Sequence, residues 1–265
     1  MKNVIITVLS IAVIVLGGYL VYDKVIDKEE KNNNEIKTPE SNESIDFDTV
    51  AAKKFIDELV DLKVFNIFNQ LSENGLTEEN KLLIAIHKTS PQSIYTCSDA
   101  FDMNTSNNME YRPTANDHWG CYSNQGISSY GYDLVNEQYK KLFGSSDDAK
   151  KVGIYITTAY EYSSKIDSYV SLTPYFGPII NNSYYYNIES AKITDNKLSI
   201  EISYLAYFPV SLDSEDEFSY VLDGNTNTFN IDEISTVFNN NKNSLPHLIF
   251  NYEKENENYV LKSVN

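Results

Sequence analysis

Two cysteines, Cys97 and Cys121, are the residues of this chain best suited to covalent chemistry. In an oxidising compartment they would form one disulfide that closes a loop of about 25 residues, a constraint expected to stabilise the fold by about 3–4 kcal/mol. The intervening segment is polar and without periodicity, as expected of a loop that is held by a bridge. Two alternatives remain. The cysteines could be buried free thiols, or either sulfur could be the nucleophile of a thiol enzyme, with Asp117 and His118 beside Cys121 as possible base groups.

The remaining candidate sites for metals and cofactors lack the spacing that their chemistry requires. His87, His118 and His247 show no H-x-x-H or H-E-x-x-H pattern, so no zinc site is predicted. Segments starting at Asp102 and Asp223 begin like calcium loops but lack the required ligand at the twelfth position. No nucleophile elbow, P-loop or dinucleotide fingerprint is present. The sequence therefore predicts no metal and no cofactor.

Tyrosine is unusually frequent, with 21 residues, and many of them lie between residues 155 and 186. A tyrosine ring stacks on sugars and covers peptides while its hydroxyl stays in water. These side chains are therefore candidates for a surface that binds an envelope glycan or a protein partner; the alternative is ordinary packing within a sheet. The candidate ligand-surface residues are Tyr155, Tyr160, Tyr162, Tyr175, Tyr184 and Tyr186.

The charge balance excludes two classes of partner. The chain carries 21 Lys and Arg against 38 Asp and Glu, a formal net charge of -17. Nucleic-acid binding depends on basic side chains that neutralise phosphates, and a polybasic attachment to anionic lipid headgroups has the same requirement. We therefore expect no nucleic-acid partner.

The amino-terminal segment predicts a membrane anchor. Residues 4–22 contain no charged side chain and would span roughly 28 Å as a helix, close to the thickness of a bilayer core. We interpret residues 1–24 as a transmembrane signal anchor; a cleaved signal peptide is the alternative. Residues 25–46 are polar and charged, which favours a flexible tether. The short segment before the helix indicates a cytoplasmic amino terminus, so residues 47–265 are predicted to form an extracytoplasmic domain of a single-pass membrane protein.

Residues 47–146 of that domain read as helical. Apolar residues recur every three or four positions from Val50 to Leu71, which predicts one amphipathic helix that ends before Gly75. Thr77 is a predicted N-cap for a helix from Glu78 to His87. A third helix is predicted over 133–143, with Gly144 directly after it.

Residues 147–265 read as strands. Alternation over 197–204 and the Asp195–Asn196 pair before it predict a hairpin with the preceding strand. A second alternating set covers 154–162, a third covers 218–222, and a terminal hairpin turns at residues 255–258. Asn230 and Glu233 are spaced like a capping box that begins a short helix. Helices followed by strands predict an α+β fold with helices packed on a mostly antiparallel sheet.

These observations favour a non-enzymatic binding or interaction module that recognises a cell-envelope ligand or a protein partner. The tyrosine-rich strands and the absence of a catalytic motif support this hypothesis. The alternative is an envelope hydrolase or thiol enzyme that uses Cys97 or Cys121.

Overall fold

The computed structural model describes residues 44–60, 66–103, 110–115, 118–144, 146–156, 158–174, 182–211 and 216–265. The predicted membrane span over 4–22 and nearly all of the predicted tether lie outside these ranges. Within these ranges, none of the helices has the length and apolar character needed to cross a bilayer.

The fold is α+β, with helices and two antiparallel sheets. The helices are α1 Thr49–Val60, α2 Ile67–Asn74, α3 Glu78–Lys88, α4 Cys97–Ala100, α5 Tyr132–Phe143 and α6 Ile234–Asn241. The first seven strands are β1 Ile45–Asp46, β2 Ser93–Thr96, β3 Glu110–Tyr111, β4 Trp119–Tyr122, β5 Gly126–Gly131, β6 Ile154–Tyr155 and β7 Ala159–Ser163. The others are β8 Ser168–Pro174, β9 Ser183–Thr194, β10 Lys197–Pro209, β11 Glu217–Leu222, β12 Asn225–Asn230, β13 His247–Glu255 and β14 Asn258–Val264.

The first sheet is organised around β10. Strand β9 pairs along one edge of β10, and β1 pairs with the far edge of β9. On its other edge β10 pairs with β13 over Lys197–Ser203 and with β11 at Phe208 and Pro209. Strand β14 forms a hairpin with β13, and strand β12 forms a hairpin with β11. The predicted hairpin at Asp195–Asn196 is confirmed, with Asp195 at φ 55° as such a turn requires.

The second sheet is organised around β8. Strands β5 and β7 pair with opposite edges of β8, since both lie opposite Val170, and β4 pairs with β8 at Thr173 and Pro174. Strand β6 pairs with β7, strand β2 pairs with β5, and strand β3 pairs with β4. Residues 47–146 were predicted to be helical and only one sheet was expected, so the strands between residues 93 and 131 and this second sheet correct the prediction. Its strands in that region are short, and they pair with segments far along the chain, which local periodicity does not reveal.

Two further elements differ from prediction. The alternating residues over 154–162 are not one strand: β6 and β7 form a hairpin in which Ile154 lies opposite Tyr160. The amphipathic pattern over 50–71 belongs to two helices, α1 and α2, which the structure describes on either side of residues 61–65. In both cases residues of the two parts pack in the same core, so apolar spacing alone does not show that they belong to separate elements.

The largest core connects the helices to both sheets. Leu82, Leu83, Ile84, Ala85 and Ile86 are all buried, so the middle of α3 is covered on every side, as expected where a helix is apolar all round. Its predicted N-cap is confirmed, because Thr77 Oγ1 accepts a 3.1 Å hydrogen bond from the backbone N–H of Asn80. Gly75 ends α2 at φ 67°, a conformation that suits glycine. Further residues of this core come from α1, α2 and α5 and from the facing sides of the two sheets.

Two smaller cores lie beyond the sheets. One covers the other face of the second sheet and includes Cys97, Phe101, Trp119 and Cys121. The other packs α6, through Phe238, against the far ends of the first sheet. The predicted capping box precedes α6: Asn230 accepts from the backbone of Asp232, and Glu233 accepts from the backbone of Asn230. Local side-chain chemistry thus sets where this helical segment begins.

Candidate functional site

A groove of about 270 Å³ opens where α1, the ends of α3 and α5, and the terminal β13–β14 hairpin meet. We call it the hairpin groove. Helix α1 supplies Phe55, Glu58 and Leu59, which share one helical face because they are spaced by three and four residues. The groove is lined by Phe55, Glu58, Leu59, Lys88, Lys141, Leu142, Phe143, Tyr252, Glu257, Asn258, Tyr259 and Leu261.

The floor of the hairpin groove is aromatic and rigid. The ring centroid of Phe55 lies 5.0 Å from that of Tyr252 and 6.2 Å from that of Tyr259, in tilted and edge-to-face arrangements that aromatic pairs prefer. Tyr252 is buried, and burial raises the pKa of its phenol, so this side chain stays neutral. Leu261 and Phe143 are also buried, which anchors the floor in the main core. The floor is therefore preformed and offers ring faces to an apolar group.

Charged side chains surround this floor. Lys88 Nζ forms an ion pair with Glu58, which joins α3 to α1 across the groove. Lys141 and Glu257 are exposed, and the described residues supply no ion-pair partner for either. Because both side chains are exposed, they are available to a ligand that carries charges of the opposite sign.

The predicted disulfide is present. Cys97 at the start of α4 is bonded to Cys121 on β4, with a Cα–Cα distance of 5.9 Å, and both residues are fully buried. Both cysteines belong to the smaller core that includes Phe101 and Trp119. In this state neither sulfur is a thiolate, so neither is a nucleophile. This argues against the thiol-enzyme alternative.

Tyr155, Tyr160 and Tyr162 belong to the β6–β7 hairpin but do not share one surface. Tyr160 is only 6% exposed, packs in the main core and lies with its hydroxyl 3.2 Å from His87 Nε2. Tyr162 is half-buried beside the same core, and its hydroxyl donates to Asp167. Tyr155 packs instead against the core on the opposite face of the sheet.

Tyr184 and Tyr186 lie on β9 of the first sheet, on the same side of the strand. Both rings contact Phe68, with centroid distances of 4.7 and 6.1 Å. Burial raises the pKa of Tyr184, whereas the Tyr186 hydroxyl donates to Asp57 on α1. Tyr175 lies outside the described residues. The structure thus distributes the candidate tyrosines over two sheets, and their role in ligand binding stays a prediction.

Glu161 is a chemically distinctive residue that the sequence analysis did not select. Its side chain faces the smaller core between Tyr155 and Tyr111, and burial raises its pKa from 4.5 to about 7. No donor among the described residues reaches its buried Oε2 atom. A Cβ atom on Gly153 would lie 2.8 Å from that oxygen and 2.3 Å from the Tyr155 hydroxyl, so a larger residue there would require one of these side chains to move. The nearby carboxylate contributes, after burial, to raising the pKa of Tyr111 to about 12.

The sequence analysis also missed the residues of the hairpin groove. Phe55, Tyr252 and Tyr259 appeared only as members of an amphipathic helix and of a terminal hairpin. Phe55 lies about 200 positions before the two tyrosines in the chain, and only tertiary packing brings it against them. Glu161 did carry a signal, because it is an acidic residue between two tyrosines in a strand. An acidic residue at such a position is unusual only if both faces of the strand are buried.

Comparison with protein-family models, with curated proteins and with solved structures found no match to this chain. Within the ranges that the structure describes, no group of three or more His, Cys, Asp or Glu side chains is arranged to hold a metal ion.

Proposed function

We propose that the folded domain is a non-enzymatic interaction module whose hairpin groove binds a segment of a protein partner. The observation that carries this proposal is the aromatic floor of Phe55, Tyr252 and Tyr259 in a groove that Lys141 and Glu257 also line. Apolar ring faces flanked by uncompensated charges are the composition of a peptide-binding site, in which one apolar side chain is an anchor and charged neighbours set its orientation.

The size of the groove favours a peptide anchor over a whole small molecule. Pockets for drug-sized ligands typically measure roughly 300–1,000 Å³. At about 270 Å³ the hairpin groove accommodates one large apolar side chain, such as leucine or an aromatic residue. The partner segment then continues along the surface in both directions.

The two charges that line the groove specify the flanks of that segment. An acidic partner residue would lie at Lys141, and a basic one at Glu257. The net charge of -17 adds a long-range attraction for a partner whose contacting surface is basic overall. Because such attraction acts before contact, it raises the association rate most strongly at low salt.

We further propose that residues 4–22 insert in the lipid bilayer and that residues 25–46 hold the module outside the cytoplasm. The uncharged stretch of 19 residues supports this. Fractionation of cells that express the full chain should leave it in carbonate-washed membranes, and protease added to intact cells should remove the carboxyl-terminal domain. Recovery in the soluble fraction, or full protection from protease, would contradict the topology.

Site-specific photo-crosslinking in those cells tests the groove. A photoreactive phenylalanine at Leu142 should form an adduct with one protein, and the same group at Lys54 on the outer face of α1 should not. A synthetic peptide that covers the crosslinked segment is then titrated against the purified chain. Lys141→Glu should weaken its binding about tenfold, equivalent to about 1.4 kcal/mol, and Lys54→Glu should leave it unchanged. Equal affinities for both variants, or equal adducts at both positions, would overturn the proposal.

A further inference from the structure

A second site involves Lys151, whose ammonium group is held by aromatic rings. Its Nζ atom lies 4.0 Å from the ring centroid of Tyr132 and 5.1 Å from that of Tyr162. The same atom lies 2.8 Å from Asp167 Oδ1. We call Tyr132, Tyr162 and Asp167 the cation cage. Both ring distances fall within the roughly 6 Å over which a cation is attracted to the face of an aromatic ring.

The cage is held in place by contacts that do not involve the Lys151 side chain. The Tyr132 hydroxyl donates a 2.9 Å hydrogen bond to the backbone carbonyl of Ala149, and the Tyr162 hydroxyl donates to Asp167. Behind both rings lies the fully buried Tyr169, whose hydroxyl donates to the backbone carbonyl of Lys150. The rings and the carboxylate therefore keep their positions when the lysine ammonium leaves.

Lys151 fills this cage only partly. Its side chain remains 44% exposed, and its ammonium lies more than 1 Å closer to one ring than to the other. A primary ammonium is compact and strongly hydrated, so it loses solvation when it lies between two rings. A quaternary ammonium is larger and weakly hydrated, and its methyl groups would contact both ring faces at once.

We propose that the cation cage binds a quaternary ammonium group and that Lys151 is an intramolecular occupant which such a ligand displaces. The displaced lysine enters solvent, where its charge is hydrated. Asp167 stays beside the bound cation and compensates its charge. This site is separate from the hairpin groove, so it stands or falls independently of the function proposed above.

The chain provides a matched control for this site. Lys53 also lies over a tyrosine, 4.7 Å from the ring centroid of Tyr186, and forms a 2.6 Å ion pair with Asp57. The described contacts place only one ring against that ammonium. Removing Lys53 therefore exposes an ion-pair partner and a single ring, but not a cage.

The test is a titration of the purified full-length chain with tetramethylammonium chloride, followed by saturation-transfer NMR, with sodium chloride as the ionic-strength control. Lys151→Ala should bind tetramethylammonium at least tenfold more tightly than the parent chain. Lys53→Ala should show no gain. Adding Tyr162→Leu or Asp167→Asn to Lys151→Ala should abolish the gain. Choline and Nε-trimethyllysine, titrated in parallel, then distinguish a headgroup ligand from a modified peptide.

Lys151→Gln is a second variant that removes the charge with less change in side-chain volume, and thermal melts of all variants establish that they are folded. The proposal is overturned if neither Lys151→Ala nor Lys151→Gln binds tetramethylammonium more tightly than Lys53→Ala. It is equally overturned if the gain persists when Tyr162 and Asp167 are both replaced.

Discussion

The hydroxyl of Tyr139 on α5 donates a 2.7 Å hydrogen bond to Glu78 Oε2 in the first turn of α3. The carboxylate also forms an ion pair with Lys81, one turn further along α3. The Lys81 contact and then the Tyr139 contact lower the pKa of Glu78, whereas burial and the neighbouring carboxylate raise the pKa of Tyr139. The contact joins the two helices whose carboxyl-terminal ends border the hairpin groove.

Tyr139→Phe should therefore destabilise the fold at neutral pH by about 1 kcal/mol, the usual net value of such a hydrogen bond when one partner is partly exposed. The lowered pKa of Glu78 contributes stability above pH 4.5 that is lost as the pH falls through the folded-state pKa. The difference in the free energy of unfolding between Tyr139→Phe and the parent chain should accordingly be smaller at acid pH. Urea unfolding at pH 7 and pH 3 measures it.

Glu78→Gln changes the other partner of this contact, and Glu79→Gln is the matched control. Glu79 is the neighbouring exposed residue on the same helix, and its replacement should change stability little. Glu78→Gln and Tyr139→Phe should be non-additive, because each removes the hydrogen bond between the tyrosine hydroxyl and a charged carboxylate. Additive losses would show that the hydrogen bond does not contribute to stability.

The raised pKa of Glu161 predicts that stability depends on pH with the sign opposite to that of the Glu78 contribution. Its folded-state pKa is raised from 4.5 to about 7, so between these values the folded chain binds more protons than the unfolded chain. Stability should fall as the pH rises from 4.5 to above 7. A shift of one pKa unit corresponds to about 1.4 kcal/mol, and partial solvent screening reduces the total, so we expect a loss of about 2 kcal/mol.

Glu161→Gln should remove this dependence, since an amide does not titrate. Urea unfolding at several pH values from 5 to 8.5 measures both chains. Parallel curves for the parent chain and Glu161→Gln would contradict the assignment of the transition to this carboxyl.

Loss of the Cys97–Cys121 bond should destabilise the chain by about 3–4 kcal/mol, since the bond closes a loop of about 25 residues in the unfolded state. The variant with both cysteines replaced by alanine measures this loss by urea unfolding, and a reductant should have no further effect on that variant. Iodoacetamide should modify neither cysteine of the parent chain without reductant. Stoichiometric labelling under those conditions would show that the bond is absent.

Local features of the fold were predictable because they depend on neighbours within a few residues. Asp195–Asn196 supports a turn through the tolerance of Asp195 for positive φ. Thr77 and Asn230 begin helical segments because their side chains accept nearby backbone N–H groups. Each of these interactions can be predicted without knowing which segments pack against it.

Sheet membership was not predictable in this way. The alternation over 154–162 is the same for one strand and for the β6–β7 hairpin, since Ile154 and Tyr160 face the same core in either arrangement. The pairing of β2 with β5 and of β4 with β8 joins segments that are separated by tens of residues. Such contacts depend on loop closure and on mutual burial, which leave little trace in a local pattern.

The order of amino acids is enough to predict the α+β class, the turns and caps, and the two cysteines available for a bond. Which faces are buried depends on the tertiary fold. Packing buries Tyr160, brings Phe55 against Tyr252, and leaves Glu161 Oε2 without a donor among the described residues. The physical reason is that caps and turns are satisfied by adjacent backbone groups. Burial, in contrast, is a property of everything that packs around a side chain, and that is settled only when distant segments meet.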